Sequence, residues 1–588
     1  MKLYTTILMA AMVSSPLLGQ KSSRDLAPAK AAMADGLGAM QKGDLLAARR
    51  AFERVVKLAP QIETGHAALG FVMLSQNQLE GAVGELQTAR RMAPGDLAVD
   101  LNLGRALAGL GRYEAALAVF RENATGMNPL AMSPEETLAY ATALAGTKQV
   151  SAAIDVLSKA VNQAPGSGLL NDGLGTALAQ AGRLQDALPY FQRAVVSEPS
   201  LGQAQLHLAA ALLMLNRPEE AITPATAAVA AMPNNFDAEL QLGHALSAVH
   251  RDTEALTRLH RAVEMATGGQ SADALYGLAV ALQASGDAKG ALPLFSKVTA
   301  STGGTFNMGA ALTNYALALV QTGDAAGALP LYAKALAAGP DTATLREDFG
   351  AAYLQKADLD DGVKQFKAGL EIEPDNAHLH YDLGLAYKLK DNLGAAVPEF
   401  ERAAALDQTL PDPVYTLGVI YMQQGKYPEA ISNLQRATAL QPGNGDAWAL
   451  LGGVLKNSGD AAGAAEALHH AIDLQPDQPS LHIQLATLNV QAGRTAEAAA
   501  ERKIAADLSR AAMNKQRAEF ALKSGRTLLE QNKVPEAIYQ LTTAVNADPT
   551  LAEPHHLLAT AYGRQGKTVD AALEEKQATK LGASTNHP

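Results

Sequence analysis

The sequence predicts an all-α chain, an α-α superhelix (solenoid) of tandem helix-turn-helix units. Three observations carry that expectation. A 34-residue spacing recurs: LGVIYMQQGKYPEAISNLQRATALQP from Leu417 is followed by LGGVLKNSGDAAGAAEALHHAIDLQP from Leu451. Within each string the apolar residues fall at helical intervals. Gly and Pro punctuate both strings at the same places.

Each element of the unit has a physical reason. In a frame opened at Pro411, Val414 is position 4, Leu417 and Gly418 are 7 and 8, and Tyr421 is 11. Gly425 is then 15, Ala430 is 20, Leu434 is 24, Ala437 is 27 and Pro442 is 32. The next frame sets Trp448, Leu451, Gly452, Leu455, Gly459, Ala464, Leu468, Ala471 and Pro476 at those places. Positions 4, 7, 8 and 11 share one stripe of a first helix, and 20, 24 and 27 share one stripe of a second. A small residue at 8 lets a neighbouring helix approach, and Ala at 20 meets that approach. Larger side chains at 7, 11 and 24 fill the remaining space. Gly or Asn at 15 ends the first helix in a left-handed cap. Pro at 32 stops the second helix. A pair this short is marginal alone, and stacking buries its stripes.

This pattern resembles the tetratricopeptide repeat (TPR) family, whose units read W-x2-L-G-x2-Y, then A-x3-F, A and P. Carried along the chain, sixteen units begin at 29, 63, 97, 134, 168, 202, 236, 272, 309, 343, 377, 411, 445, 479, 518 and 552. Position 8 is Gly or Ala in all sixteen, position 20 is Ala in fifteen with Gly362 the exception, and position 32 is Pro in ten. The expected organisation is a signal peptide at 1–20, a linker at 21–28, repeats 1–7 at 29–269, repeats 8–14 at 272–512 and repeats 15–16 at 518–585. Short inserts fall at 131–133, 270–271, 306–308 and 513–517. The Gly-rich joints TGGQ (267–270) and STGGT (301–305) read as local changes of superhelical curvature rather than domain boundaries. From Glu501 to Gln531 there is no Pro, one Gly and the densest run of Lys and Arg. The expectation there is one long helix fusing two units. Its basic surface is either a solvated face or a docking face for an acidic partner.

Composition excludes several function classes. The 588 residues carry a net charge of −11, which speaks against non-specific nucleic-acid binding and against anionic lipid. There is no cysteine, so disulfides, thiolate zinc sites, iron–sulfur clusters and a Cys nucleophile are excluded. MKLYTTILMAAMVSSPLLGQ has a cation at Lys2, an apolar run from Leu3 to Val13 and then small residues, the outline of a secretory signal. The run is too short for an ordinary membrane span, and no later stretch is apolar enough. The expectation is therefore an exported protein, periplasmic or secreted, with no integral membrane segment after signal removal.

No catalytic chemistry is expected. Gly566-Lys567-Thr568 mimics the end of a phosphate loop, but Ala561 stands where the first Gly is needed and the triplet sits in an inter-helix turn. His66, His380, His482 and His555 all occupy position 4, one per unit, and so cannot converge on one ion. No HExxH or G-x-S-x-G motif occurs. With 544 residues inside repeats, no separate catalytic domain remains. Catalytic, cofactor-binding and metal-binding residues are all expected to be absent.

The resemblance implies that positions 2, 5, 9, 12 and 13 of the first helix line a concave groove. Its lining reads mostly apolar or neutral, and the cationic clamp by which some TPR modules hold a C-terminal carboxylate is missing. The candidate partner-binding residues are Phe71, Arg105, Tyr276, Tyr381, Tyr415 and Val419. The implied ligand is an extended or helical polypeptide, and nucleic acid is not expected. The function so implied is a non-catalytic scaffold binding polypeptide partners, exported to the cell envelope. The alternative is a periplasmic component of a polysaccharide or protein secretion system.

Overall fold

In the computed structural model, which describes residues 26–122 and 132–584, the regular structure is all helix: 31 helices and no strand among the described residues. The expected signal peptide at 1–20 and linker residues 21–25 lie outside the described residues. So do Asn128, at position 32, and the first residue of the 131–133 insert. First helices open at 63, 97, 134, 168, 202, 236, 343, 377, 411, 445, 479 and 552, each the opening residue of a unit in the sequence frame.

The chain forms two compact units, one ending at Gly339 and the other beginning at Pro340. Each is an α-α solenoid in which every helix packs on its neighbours in sequence. Both Gly-rich joints lie inside the first unit. Asp252–Met265 packs directly on Gln270–Ala284 across one, and Ala288–Ala300 on Met308–Gln321 across the other.

The turn between paired helices has one conformation throughout. All sixteen position-15 residues have positive φ, from Gly43 (76°) to Gly566 (75°). The residues there include not only Gly and Asn but Lys148 (64°), His250 (57°), Ala357 (65°) and Asp391 (57°). The turn geometry is therefore imposed by the packing of the pair, since an L side chain pays roughly 1–2 kcal/mol in that region.

Position 32 works through its predecessor. Proline disfavours the helical region for the residue before it. Ala59, Ala93, Ala164 and Glu198 accordingly cap their helices at φ between −142° and −128°. The opposite ends are closed by Asn, Asp, Ser or Thr side chains in many units, as where Asn376 accepts from the Leu379 amide at 3.1 Å.

The small residue at position 8 has a more specific task than helix approach in general. A Cβ placed on Gly418 would lie 2.6 Å from Leu434 Cγ, and one on Gly452 would lie 2.8 Å from Leu468 Cγ. Position 8 thus makes room for the large position-24 side chain of its own second helix. Those side chains, among them Phe52, Phe295, Phe366, Phe400 and Leu434, are fully buried, and the position-20 residue is buried in all but the last unit. This alternation of absent and large side chains interlocks each pair.

Position 4 is the third device. His66 joins Glu85 of the paired helix (Nδ1 to Oε2, 2.6 Å) and the carbonyl of Pro60 (Nε2, 3.0 Å), the Pro that ended the previous unit. His380 does the same with Glu399 and Pro374, and Trp448 donates from Nε1 to the Pro442 carbonyl at 2.9 Å. Asn171 and Gln205 reach Pro165 and Pro199 from the same position. These histidines are struts tying one repeat to the next. No group of three or more metal-ligating side chains occurs among the described residues.

The expected long helix is present as Thr495–Glu530, 36 residues. It fuses the second helix of repeat 14 with the first of repeat 15. Two sequence facts explain it: position 32 is Arg510 rather than Pro, and the five inserted residues 513–517 include neither Gly nor Pro. No helix among the described residues is long and apolar enough to cross a membrane.

Candidate functional site

The first helix buries position 8 in every repeat and position 7 in most, while position 9 is mostly left partly open; position 5 is buried at Met33, Leu101, Asp172, Leu206 and Leu240 and partly or fully exposed in the other eleven units. All six candidate residues are half-buried there. Phe71, Arg105 and Tyr276 belong to the unit ending at Gly339, and Tyr381, Tyr415 and Val419 to the unit beginning at Pro340.

In the first unit Phe71 rests on the cluster containing Met33, Leu37 and Phe52. Arg105, on the adjacent first helix, donates to Asn102 Oδ1 at 3.2 Å. Tyr276 lies between Phe295 and Phe306, with ring centroids 6.5 and 5.6 Å away, and its hydroxyl accepts from Asn314 Nδ2 at 3.1 Å. Burial pushes its phenol pKa up. Tyr276 is thus held by Phe295 of its own repeat and by Phe306 and Asn314 beyond it.

In the second unit Tyr381 and Tyr415 come together on adjacent first helices, both against the same apolar cluster. The Tyr381 ring packs 5.6 Å from Phe400, and its hydroxyl lies near Thr416, the neighbour of Tyr415. Val419 follows Tyr415 one helical turn along the same face.

A rule links these contacts. Position 5 of one repeat meets position 6 of the next: Tyr276 with Asn314, Tyr381 with Thr416, and Asp172 with His207 Nδ1 at 2.8 Å. The sequence reading followed position 5 and passed over position 6. The omission matters at repeats 10 and 11, where the rung pairs Glu347 with Asp382, two carboxyls, and Asp348 adds a third. Burial first, then repulsion from Glu347 and Asp348, pushes Asp382 up to about 7. Burial and Glu347 push Asp348 up to about 6, and burial also raises Glu347, against which His378 acts as a partial counter-charge. The face formed by positions 5 and 6 of this unit is therefore locally acidic beside Tyr381, not uniformly neutral.

A separate cleft of about 520 Å³ is lined by Glu401, Leu417, Tyr421, Ser432, Asn433 and Arg436. Tyr421 donates to Glu401 at 2.6 Å, and burial followed by that bond pushes its phenol up to about 12. Arg436 donates to the Ala404 and Gln408 carbonyls. Two of the polar side chains of this cleft are thus tied down, Tyr421 by Glu401 and Arg436 by backbone carbonyls.

Comparison with known proteins yields one family. A tetratricopeptide repeat model matches residues 33–96, 72–124, 101–168, 173–236, 240–304, 347–411 and 415–479. A TPR repeat model matches 525–566, and a further tetratricopeptide repeat model matches 309–334. No curated protein matches the chain. Among solved structures, the APC/C hetero-tetramer Cut9–Hcn1 is similar at 14% identity, covering 79% of this chain and 97% of that one, with a TM-score of 0.39. A tetratricopeptide repeat protein from Parabacteroides merdae is similar at 18% identity over 43% of this chain and 98% of its own, TM-score 0.35. MamA from Desulfovibrio magneticus RS-1 is similar at 22% identity over 29% of this chain and 97% of its own, TM-score 0.28.

Proposed function

Because this chain belongs to the tetratricopeptide repeat family, we propose that it is a non-catalytic scaffold, exported to the cell envelope, that holds an extended or helical polypeptide along the first helices of its repeats. One observation carries the reading. Tyr381 and Tyr415 lie on the first helices of consecutive repeats, half-exposed and packed against the same apolar cluster, with Thr416 near the Tyr381 hydroxyl. Rigid aromatic side chains with one wet edge suit peptide capture, because they offer contact area at small entropic cost. The cation at Lys2 and the apolar run to Val13 support export.

The test is crosslinking and pull-down from the native envelope fraction with wild-type chain and with Tyr381→Ala plus Tyr415→Ala. Helicity should be unchanged and partner recovery reduced. Undiminished recovery by the double variant refutes the tyrosine face. Recovery of the chain only from the cytosol refutes export.

A further inference from the structure

We propose that the bare middle of the helix Thr495–Glu530 is a docking face for an acidic, amphipathic segment of another protein. Both ends of this helix are built into repeats: Ala498 and Ala505 are buried at one end, and Ala518, Ala521, Gly525 and Leu529 at the other. Between them residues 509–517 are exposed on every side, about 13 Å of helix. Among the described residues no other part of either solenoid unit has a helix stripped of neighbours in this way, because elsewhere Pro or a turn ends the second helix.

A helix surrounded by water has no use for large apolar side chains, yet this one carries two. Met513 is 65% exposed and Phe520 is 74% exposed. They alternate with Arg510 and Arg517 at i, i+3, i+7 and i+10, which places all four on one side. Arg, Met and aromatic residues are those enriched where proteins meet. Asp507, paired with Arg510 at 3.2 Å, and Glu519 fall to either side of the stripe. Among the described residues, Arg517 and Lys523 have no carboxylate partner within the chain. From 509 to 526 there are five cations against Glu519 alone, in a chain whose net charge is −11.

The occupant follows from that pattern. A partner helix with carboxylates flanking an apolar stripe would cover Met513 and Phe520 while pairing with Arg510 and Arg517. A second copy of the same helix would bring four stripe arginines together and add no carboxylate on the stripe to meet them. The proposal does not depend on the tyrosine face, which lies on other elements.

The full chain is titrated against a fluorescein-labelled, about 20-residue Glu/Leu amphipathic peptide and against its Lys/Leu counterpart, long enough to fold on a surface. The acidic peptide should bind, more weakly as salt rises, and the basic one should not. Met513→Ala with Phe520→Ala, and independently Arg510→Gln with Arg517→Gln, should each weaken binding about tenfold or more with unchanged circular dichroism. Tyr381→Ala with Tyr415→Ala should bind the peptide as wild type does. Equal binding of both peptides, or full affinity in both stripe variants, overturns the proposal. So does a dimer in light scattering that Phe520→Ala dissolves, since the face would then belong to a second copy.

Discussion

Asp382→Asn should make the repeat 10–11 junction more stable at pH 8 and leave it nearly unchanged at pH 4.5. The folded protein raises the Asp382 carboxyl from the ordinary 3.8 to about 7, by burial and by the charges of Glu347 and Asp348. The native state therefore holds this proton more tightly than the unfolded chain does. The wild-type junction keeps its full stability below about pH 4 and loses it as pH rises through about 7. At 1.36 kcal/mol per pH unit, Asp382 alone would account for roughly 4 kcal/mol at most. Repulsion within the trio is shared, so a loss of about 2–4 kcal/mol across this window is expected. The amide of Asn removes the charge and most of that loss. Because repeat arrays open piecewise, one melting temperature is the wrong measure. Amide hydrogen exchange in peptides covering 343–389, corrected for intrinsic rates, reads the local opening free energy directly. His378 is present in both proteins, so the difference between them isolates Asp382. Equal protection of variant and wild type at pH 8, or a wild-type junction indifferent to pH between 5 and 8, would refute the buried-carboxyl argument.

Three further predictions test the repeat. Ala430 is fully buried at the helix crossing, so Ala430→Leu should cost roughly 1–3 kcal/mol of local stability, read by the same exchange experiment; an unchanged profile counts against the assigned frame. Ala357 sits at φ 65°, so Ala357→Gly should gain about 1 kcal/mol by relieving the left-handed turn, while Gly323→Ala at φ 90° should lose a similar amount; a loss in the first case would mean that the turn conformation is wrong. His66→Ala strands both Glu85 and the Pro60 carbonyl and should cost about 1–3 kcal/mol of local stability in the same exchange experiment. A Glu85→Ala, His66→Ala double variant should then cost less than the two single losses added together.

How much of this was legible beforehand depends on whether a signal repeats. Gly418 and Leu434, sixteen residues apart, recur as Gly452 and Leu468 and in other units, so the interlock declares itself as periodicity. The left-handed turn is only partly written in residue type. Gly425 announces it and His250 and Asp391 tolerate it, but Lys148 and Ala357 adopt it under compulsion of the packed pair, and no local preference reveals those two. Position 4 looked like scattered histidines because its task, reaching back to the previous Pro carbonyl, accepts His, Trp, Asn or Gln alike.

The rungs between repeats were the least legible. Each joins a position-5 residue to a position-6 residue one unit onward. A substitution that turns Tyr–Thr into Glu–Asp leaves the 34-residue pattern intact while inverting the chemistry of the groove. The long basic helix follows the same logic. Replacing Pro by Arg510 and inserting five helix-tolerant residues preserves every buried Ala on either side. The fold therefore tolerates the change, and what changes is the surface offered to a partner. A repeat scaffold separates the two kinds of information: positions 8, 20 and 27 hold the array together, and the residues free to vary between them decide what it binds.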